Sequence, residues 1–403
     1  MSGDKVPPVP PEVQQEIDRA LRALPQVTVG SLLEALLNAG ALAERRGFLD
    51  RHPGDKANGF YRRSLQLGAV PLRLDVPRTR SGEFRPGLLP PPYQRAFPED
   101  RQRLLLGLLA GARSVEAARR TLTQLGLSAS EADLDAVAGE LLGEFELLNS
   151  CPLPADLLTL FVDAKLVDVR DGDRVRRSTL YLAVGIGLDG RKRVLACRVR
   201  AGGETLDGWR AVLKELLERG VRRVLLLVHD DFSGLLKLTQ SLFPRTDIQL
   251  CVVHMQRNAS RHLSREDNAE FQRRWRAIKN SYDIERATSD FEQLCRDFES
   301  RAPTFVRGLL RKAGHYLVFL KYPDAIRRTL STTNAVEAVN GELERLRRNS
   351  GGYFQSERIT RIKIALTVRN LHDGRWSRPA SNTCTALQEL NRMFQERFED
   401  DEP

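Results

Sequence analysis

Cysteine is scarce and scattered. The 403 residues hold five, at 151, 197, 251, 295 and 384, with no Cys-x-x-Cys pair. That excludes a disulfide-stapled secreted scaffold and suits a reducing compartment. Long apolar runs are missing as well. None approaches the roughly 18 residues of a spanning helix, and the Pro-rich stretch from Met1 to Glu12 has no apolar segment of a signal peptide. The expectation is a cytoplasmic protein with no membrane partner. Acid is the minority charge: 53 Asp+Glu against 63 Lys+Arg give a formal net charge of +10 and a pI of about 9.6. Most of the bases are Arg, whose planar fork fits phosphate. A polyanionic partner is favoured, although an Arg-rich proteome would leave the same trace.

What is present reads as several folded domains, since the chain is too long for one. Residues 1–53 form a helical region after a disordered lead-in, with Leu32, Leu33, Leu36 and Leu37 at helical spacing. Residues 54–98 are rich in Gly, Pro and Arg and carry short alternating runs such as Val70 to Val76. Arg62, Arg63, Arg73, Arg78, Arg80, Arg85 and Arg95 stand there among few acids, with Tyr61, Phe84 and Tyr93 between them. This is an Arg-rich β or extended segment suited to DNA contact, with a solvated linker as the alternative. Residues 99–150 read as three short helices, a helix-turn-helix-like arrangement. The acids Glu131, Asp133 and Asp135 argue against the third helix as the groove reader.

The span from 151 to 257 is the most informative. Leu157–Val169, Thr179–Leu188 and Lys192–Arg200 read as strands joined by tight turns, the second at Asp189-Gly190. A helix over Leu206–Arg219, a strand over Arg223–Val228, a helix over Phe232–Leu242 and a strand over Asp247–Val253 follow. The order βββαβαβ is that of a ribonuclease-H-like sheet. Residues 255–325 are helical, with a stripe of Phe271, Trp275, Ile278 and Tyr282; further helices begin near Asn334 and end in an acidic tail.

Two aspartates stand out. Asp163 lies inside an apolar run, where a carboxylate is costly unless paired or bound to a cation. Asp230 ends another apolar run, Val224 to His229, where parallel strands place ligand sites. In this strand order the two are neighbours, and their repulsion invites a divalent cation. Oxygen-only ligands favour Mg²⁺ or Mn²⁺. Simple strand-end aspartates remain the alternative, Asp231 rivals Asp230, and Asp168 or Asp171 could replace Asp163. Glu337 falls in the first turn of a helix that Ser331-Thr-Thr-Asn334 can cap, a place favoured by the helix dipole alone. Cys251 and His254 suggest zinc, but no second such pair stands at suitable spacing, so they read as a structural pair beside Asp230.

The motifs Asn58-Gly-Phe-Tyr-Arg-Arg63, Val76-Pro-Arg-Thr-Arg-Ser-Gly-Glu-Phe-Arg85, Val162-Asp-Ala164, Asp230 with Gly234-Leu235, Gln249-Leu-Cys-Val-Val-His254 with Arg257-Asn258, and Thr332-Thr-Asn-Ala-Val-Glu337 with Asn340 follow one another in order. Through them the chain resembles the mutator-type transposases of bacterial insertion sequences over most of its length. The resemblance implies a DDE transposase with Asp163, Asp230 and Glu337 as catalytic and metal-binding triad, holding two Mg²⁺ (or Mn²⁺) ions. The fold class it implies is multidomain α+β. An N-terminal helical/β DNA-binding region precedes a ribonuclease-H-like α/β catalytic domain (151–257 and 331–403), which an all-helical insertion (258–330) interrupts; the C-terminus is helical.

The activity expected is cleavage and strand transfer at the element's terminal inverted repeats, by a copy-out, paste-in route through a circular intermediate. The partners expected are double-stranded DNA and a second copy of the chain, in a homodimer or larger synaptic assembly. Besides the N-terminal arginines, Arg257, Asn334, Asn340, Arg345, Arg347 and Arg348 are candidate DNA contacts, with Arg358, Arg361 and Lys363 on the same C-terminal stretch. Trp209, in a Glu204…Trp209 pattern, is read as a structural neighbour of the site. The sequence departs from the family in having Ala338 after Glu337, where Arg is common, and Asp231-Phe232 where a Gly-containing segment is common.

Overall fold

A computed structural model describes residues 28–67, 70–90, 96–97, 117–118, 120–121 and 131–399, in two compact units, 1–140 and 141–403. Most of the expected helix-turn-helix over 99–150, the part of the expected helical region before residue 28, and Tyr93 and Arg95 lie outside the described residues.

In the first unit, helix α1 (Val29–Arg51) starts at a capping box: Ser31 N donates to Thr28 Oγ1 and Thr28 N to Ser31 Oγ. Strands β1 (Ala57–Leu67) and β2 (Val70–Thr79) form an antiparallel hairpin, and β3 (Ala96–Phe97) pairs parallel to β1. The alternation in β2 buries Val70, Leu72, Leu74 and Val76. Glu34 and Asn38 of α1 accept the β2 amides of Arg73 and Asp75 at 2.6 and 3.0 Å. The segment is therefore a folded hairpin, and the linker alternative is set aside. Arg62, Arg73, Arg78, Arg80 and Arg85 are exposed and Arg63 is half-buried. Exposed Phe60 and Tyr61 lie under Arg45 and Arg78, 5.0 and 5.8 Å from ring centroids.

Helix α2 (Glu131–Leu148) leads into the second unit. Beyond its end, buried Asn149 donates to Phe145 O and accepts the Cys197 amide at 2.8 Å. Strands β4 (Asp156–Asp171), β5 (Arg174–Gly187) and β6 (Lys192–Ala201) are antiparallel neighbours; β7 (Arg223–His229) and β8 (Asp247–Leu250) run parallel to β4. The sheet order is β6-β5-β4-β7-β8, which the expected element order anticipates. Helix α3 (Leu206–Glu218) connects β6 to β7 and buries Trp209, Val212, Leu213 and Leu216, one face of a 3.6-residue period. Helix α4 (Leu235–Leu242) starts three residues later than the sequence suggests. Its N-cap Gly234 has φ 82°, and an added Cβ there would lie 2.9 Å from Leu206.

The last expected strand ends at Leu250, not Val253. Val252 and Val253 look β-forming, but they open helix α5 (Val252–His262), which buries Val252, Met255 and Ala259 at i, i+3 and i+7. The expected domain boundary at 257/258 therefore falls inside a continuous helix. α6 (Arg265–Ile278), α7 (Ile284–Phe298), α8 (Pro303–Leu310), α9 (Ala313–Tyr316), a 3₁₀ turn (Val318–Lys321) and α10 (Asp324–Leu330) follow. Phe271, Trp275 and Ile278 are buried there as their spacing suggests, whereas Tyr282 is exposed.

Helices α11 (Asn334–Asn349), α12 (Glu357–Asp373) and α13 (Ser381–Phe398) complete the unit. β4 pairs with β7 only as far as Phe161. Near its far end, Phe354 closes the free side, its amide donating to Asp168 O and its carbonyl accepting from Arg170 N.

Candidate active site

β4 carries Asp163 into the sheet, 7% exposed. The parallel register Phe161↔Val228, continued by two residues, sets Asp163 level with Asp230, just beyond the end of β7. Burial, with the charges of Asp230 and Glu204, pushes the Asp163 carboxyl up to about 7, although His254 pulls it back. Burial and Asp231 likewise raise Asp230. Asp163 Oδ2 accepts Asn340 Nδ2 of α11 at 3.0 Å, while Asp230 Oδ1 is buried with no hydrogen-bond partner.

The rival acids are engaged elsewhere. Asp231 takes Lys312 Nζ on one oxygen and the Tyr316 hydroxyl on the other, so the helices after β8 are fastened beside Asp230. Asp168 and Asp171 lie five and eight residues further along β4, on the order of 17–26 Å from Asp163, facing Arg177 and Arg176. Neither Lys312 nor Tyr316 had a sequence signal, since folding alone brings them to Asp231.

Glu337 lies in the first turn of α11. The Ser-Thr-Thr-Asn run makes no side-chain cap; Thr333, the N-cap residue, instead turns its hydroxyl to Cys251 Sγ at 3.6 Å. Glu337 Oε1 accepts Arg257 Nη2 at 3.2 Å, with both side chains partly exposed. Among the described residues, no three His, Cys, Asp or Glu side chains are gathered closely enough to hold one ion. The aspartate pair nevertheless fits a divalent cation: both are oxygen donors, burial disfavours their charge, and one buried oxygen is orphaned. Glu337 could join them on exchanging its Arg257 partner.

His254 and Cys251 sit against this site. Contact with Cys251, opposed by burial and aided by Asp163 and Asp230, lifts His254 to about 9. Burial works to raise the Cys251 thiol, but His254 and Thr333 outweigh it and hold the thiol low. Trp209 is fully buried and donates Nε1 to Glu204 Oε1 at 2.7 Å.

The candidate DNA contacts divide. Asn340 is turned inward to Asp163, and Lys165 Nζ donates to its carbonyl. Arg345 pairs with Glu342 while staying largely exposed, as does Arg348 with Glu344. Arg347 is mostly covered and spent on Glu344, whose carboxyl its hydrogen bonds help lower to about 2. Arg361 binds Glu357 and Glu146. Lys363 is buried, 1% exposed, so it cannot face DNA. The side chain of Asn334 lies outside the described residues.

Comparison with known proteins places the chain. Residues 9–378 match the model of the family described as "Transposase, Mutator family", and the chain belongs to that family. It is similar to the transposase for insertion sequence element ISRM3 of Rhizobium meliloti (strain 1021), 28% identical over 352 residues, covering 87% of each chain. It is also similar to the transposase for insertion sequence element IS905 of Lactococcus lactis subsp. lactis (strain IL1403), 25% identical over 353 residues, covering 88% of this chain and 89% of the relative. A solved structure, the Drosophila P element transposase strand transfer complex, aligns at 12% identity over 74% of this chain and 85% of that one; its TM-score of 0.27 is too low to inform the fold.

Proposed function

We propose that the chain cuts and joins DNA at the terminal inverted repeats of its own insertion sequence, in a divalent-metal-dependent reaction on a ribonuclease-H-like core. The single observation that carries this reading is Asp163 set level with Asp230, whose buried Oδ1 has no partner. Asp163, Asp230 and Glu337 would hold the metal. Two Mg²⁺ or Mn²⁺ ions supply, when bound, activation of the attacking oxygen and charge stabilisation at phosphorus.

The chain's own residues do the rest. Asn340 orients the Asp163 carboxylate through Oδ2. His254 places positive charge beside the two aspartates, limiting their repulsion. Arg257, with Arg345 and Arg348, presents partly exposed cations to the phosphate backbone. In the first unit, exposed Arg62, Arg73, Arg78, Arg80 and Arg85 would meet the repeat, beside the exposed rings of Phe60 and Tyr61 that Arg45 and Arg78 cover. Two ends must be held at once, so the reading includes a homodimer or larger assembly, and a copy-out, paste-in route through a circular intermediate.

The test uses a duplex carrying the inverted repeats that flank this reading frame, with Mg²⁺ or Mn²⁺. Wild type is expected to nick the repeat end and join its 3′-hydroxyl to target DNA. Asp163→Asn, Asp230→Asn and Glu337→Gln should each lose both steps by on the order of 10²–10³ or more while still binding the repeat. Full activity in either aspartate variant would refute the reading; cutting without joining would make the protein a nuclease.

A further inference from the structure

We propose that Glu204 is a fourth carboxylate of the catalytic centre, positioned by Trp209 to strengthen the divalent-cation site around Asp163 and Asp230. The inference rests on the metal-dependent reading above and adds a residue to it.

The loop after β6 is built to hold this side chain still. Trp209 is fully buried in the core between α3 and the sheet, and its indole N–H grips Glu204 Oε1 at 2.7 Å. The indole meets the Tyr181 ring edge-on, with centroids 5.0 Å apart. Tyr181 pairs in register with Ala164, the residue after Asp163, and its hydroxyl accepts the amide of Thr205, the residue after Glu204, at 2.9 Å. Thr205 in turn caps α3 by accepting Gly208 N. Gly208 has no room for a side chain, because an added Cβ would lie 2.3 Å from the Tyr181 oxygen. Backbone and one carboxylate oxygen are thus tied to the strand pair that carries Asp163. No group among the described residues hydrogen-bonds Oε2.

The carboxyl held this way faces charge of its own sign. Glu204 helps raise Asp163, and burial together with Asp230 raises Glu204 in turn, against the Trp209 hydrogen bond and His254, which lower it. A purely structural partner for the indole N–H would need only an oxygen, and glutamine supplies one. In the metal-free fold burial and Asp230 outweigh the indole hydrogen bond and His254, so this charge is held at a cost, and it would add to the pull on a cation between the aspartates.

Mn²⁺ binding to the full-length, DNA-free protein, followed by isothermal titration calorimetry and by electron paramagnetic resonance of free Mn²⁺, tests this. Glu204→Gln is expected to weaken Mn²⁺ binding about tenfold, without lowering the melting temperature of the metal-free protein. Trp209→Phe should weaken it in the same direction, and Glu342→Gln, on an exposed ion pair, should leave it unchanged. A Glu204→Gln affinity within about twofold of wild type, with Asp230→Asn losing binding, would overturn the role of Glu204 alone. Asp230→Asn binding Mn²⁺ as wild type does would overturn the metal reading, and this inference with it.

Discussion

Lys363 provides a quantitative test of how α12 is packed. Its side chain is buried, its ammonium reaches the Ser350 hydroxyl, and it lies 6.0 Å from the centroid of the Phe354 ring. Burial lowers its pKa from 10.5 to about 8. That difference is a penalty on the charged folded state of about 3 kcal/mol, as an order of magnitude. The folded pKa lies below the unfolded one. The penalty is therefore fully present below about pH 8 and relieved as pH rises towards about 10.5. Lys363→Met keeps the length and removes the charge, and Ser350 can still donate to Leu346 O at 2.7 Å. The variant should be more stable than wild type by up to about 3 kcal/mol at pH 7, and the gap should close as pH approaches 10.5. Urea unfolding followed by tryptophan fluorescence reports on this unit, because Trp209, Trp275 and Trp376 all lie in it. A stability gap that stays constant between pH 7 and 10, or a less stable variant at pH 7, would refute the reasoning.

Two further outcomes follow from single contacts. Arg257→Gln frees Glu337 from a partly exposed ion pair, so stability should change by less than about 1 kcal/mol. In calorimetry Mn²⁺ affinity should rise, while the salt dependence of DNA binding, read by fluorescence anisotropy, falls by about one unit of slope; unchanged Mn²⁺ affinity would show that Arg257 does not restrain Glu337. Asn149→Ala strands the buried Cys197 amide and should cost about 1–3 kcal/mol in urea unfolding, a loss that a surface change such as Glu342→Ala should not reproduce.

The sheet was legible because its signals are local. Alternation and the Asp189-Gly190 turn mark the antiparallel strands, and the apolar run Val224 to Val228 marks the first parallel one. The end of β8 was not, since Val252 and Val253 suit a strand and only tertiary packing turns them into α5. Lys363 misled because a lysine among arginines looks like a solvated face. Its neighbours Ile362, Ile364, Ala365 and Leu366 leave α12 buried nearly all round. The two aspartates could be paired from strand order. Asn340 against Asp163, or Glu337 against Arg257, could not, because these partners are far apart in sequence and meet only in the folded chain. Asp230 and Asp231 are adjacent and chemically identical, and Lys312 and Tyr316 tell them apart.

The closure of β4 by Phe354 bears on how the protein avoids its own copies. A strand that outruns its neighbour presents unpaired amides and carbonyls, a template on which another chain can add a strand. Phe354 occupies the Asp168 carbonyl and the Arg170 amide, and exposed, charged Arg170, Asp171 and Arg174 surround the tip. The plug is reached only after the helices between β8 and α11 have been traversed, on the same stretch that delivers Glu337. A chain arrested before that point would carry both aspartates on an open ledge, so intermediates of synthesis and refolding are the species most exposed to edge-to-edge aggregation.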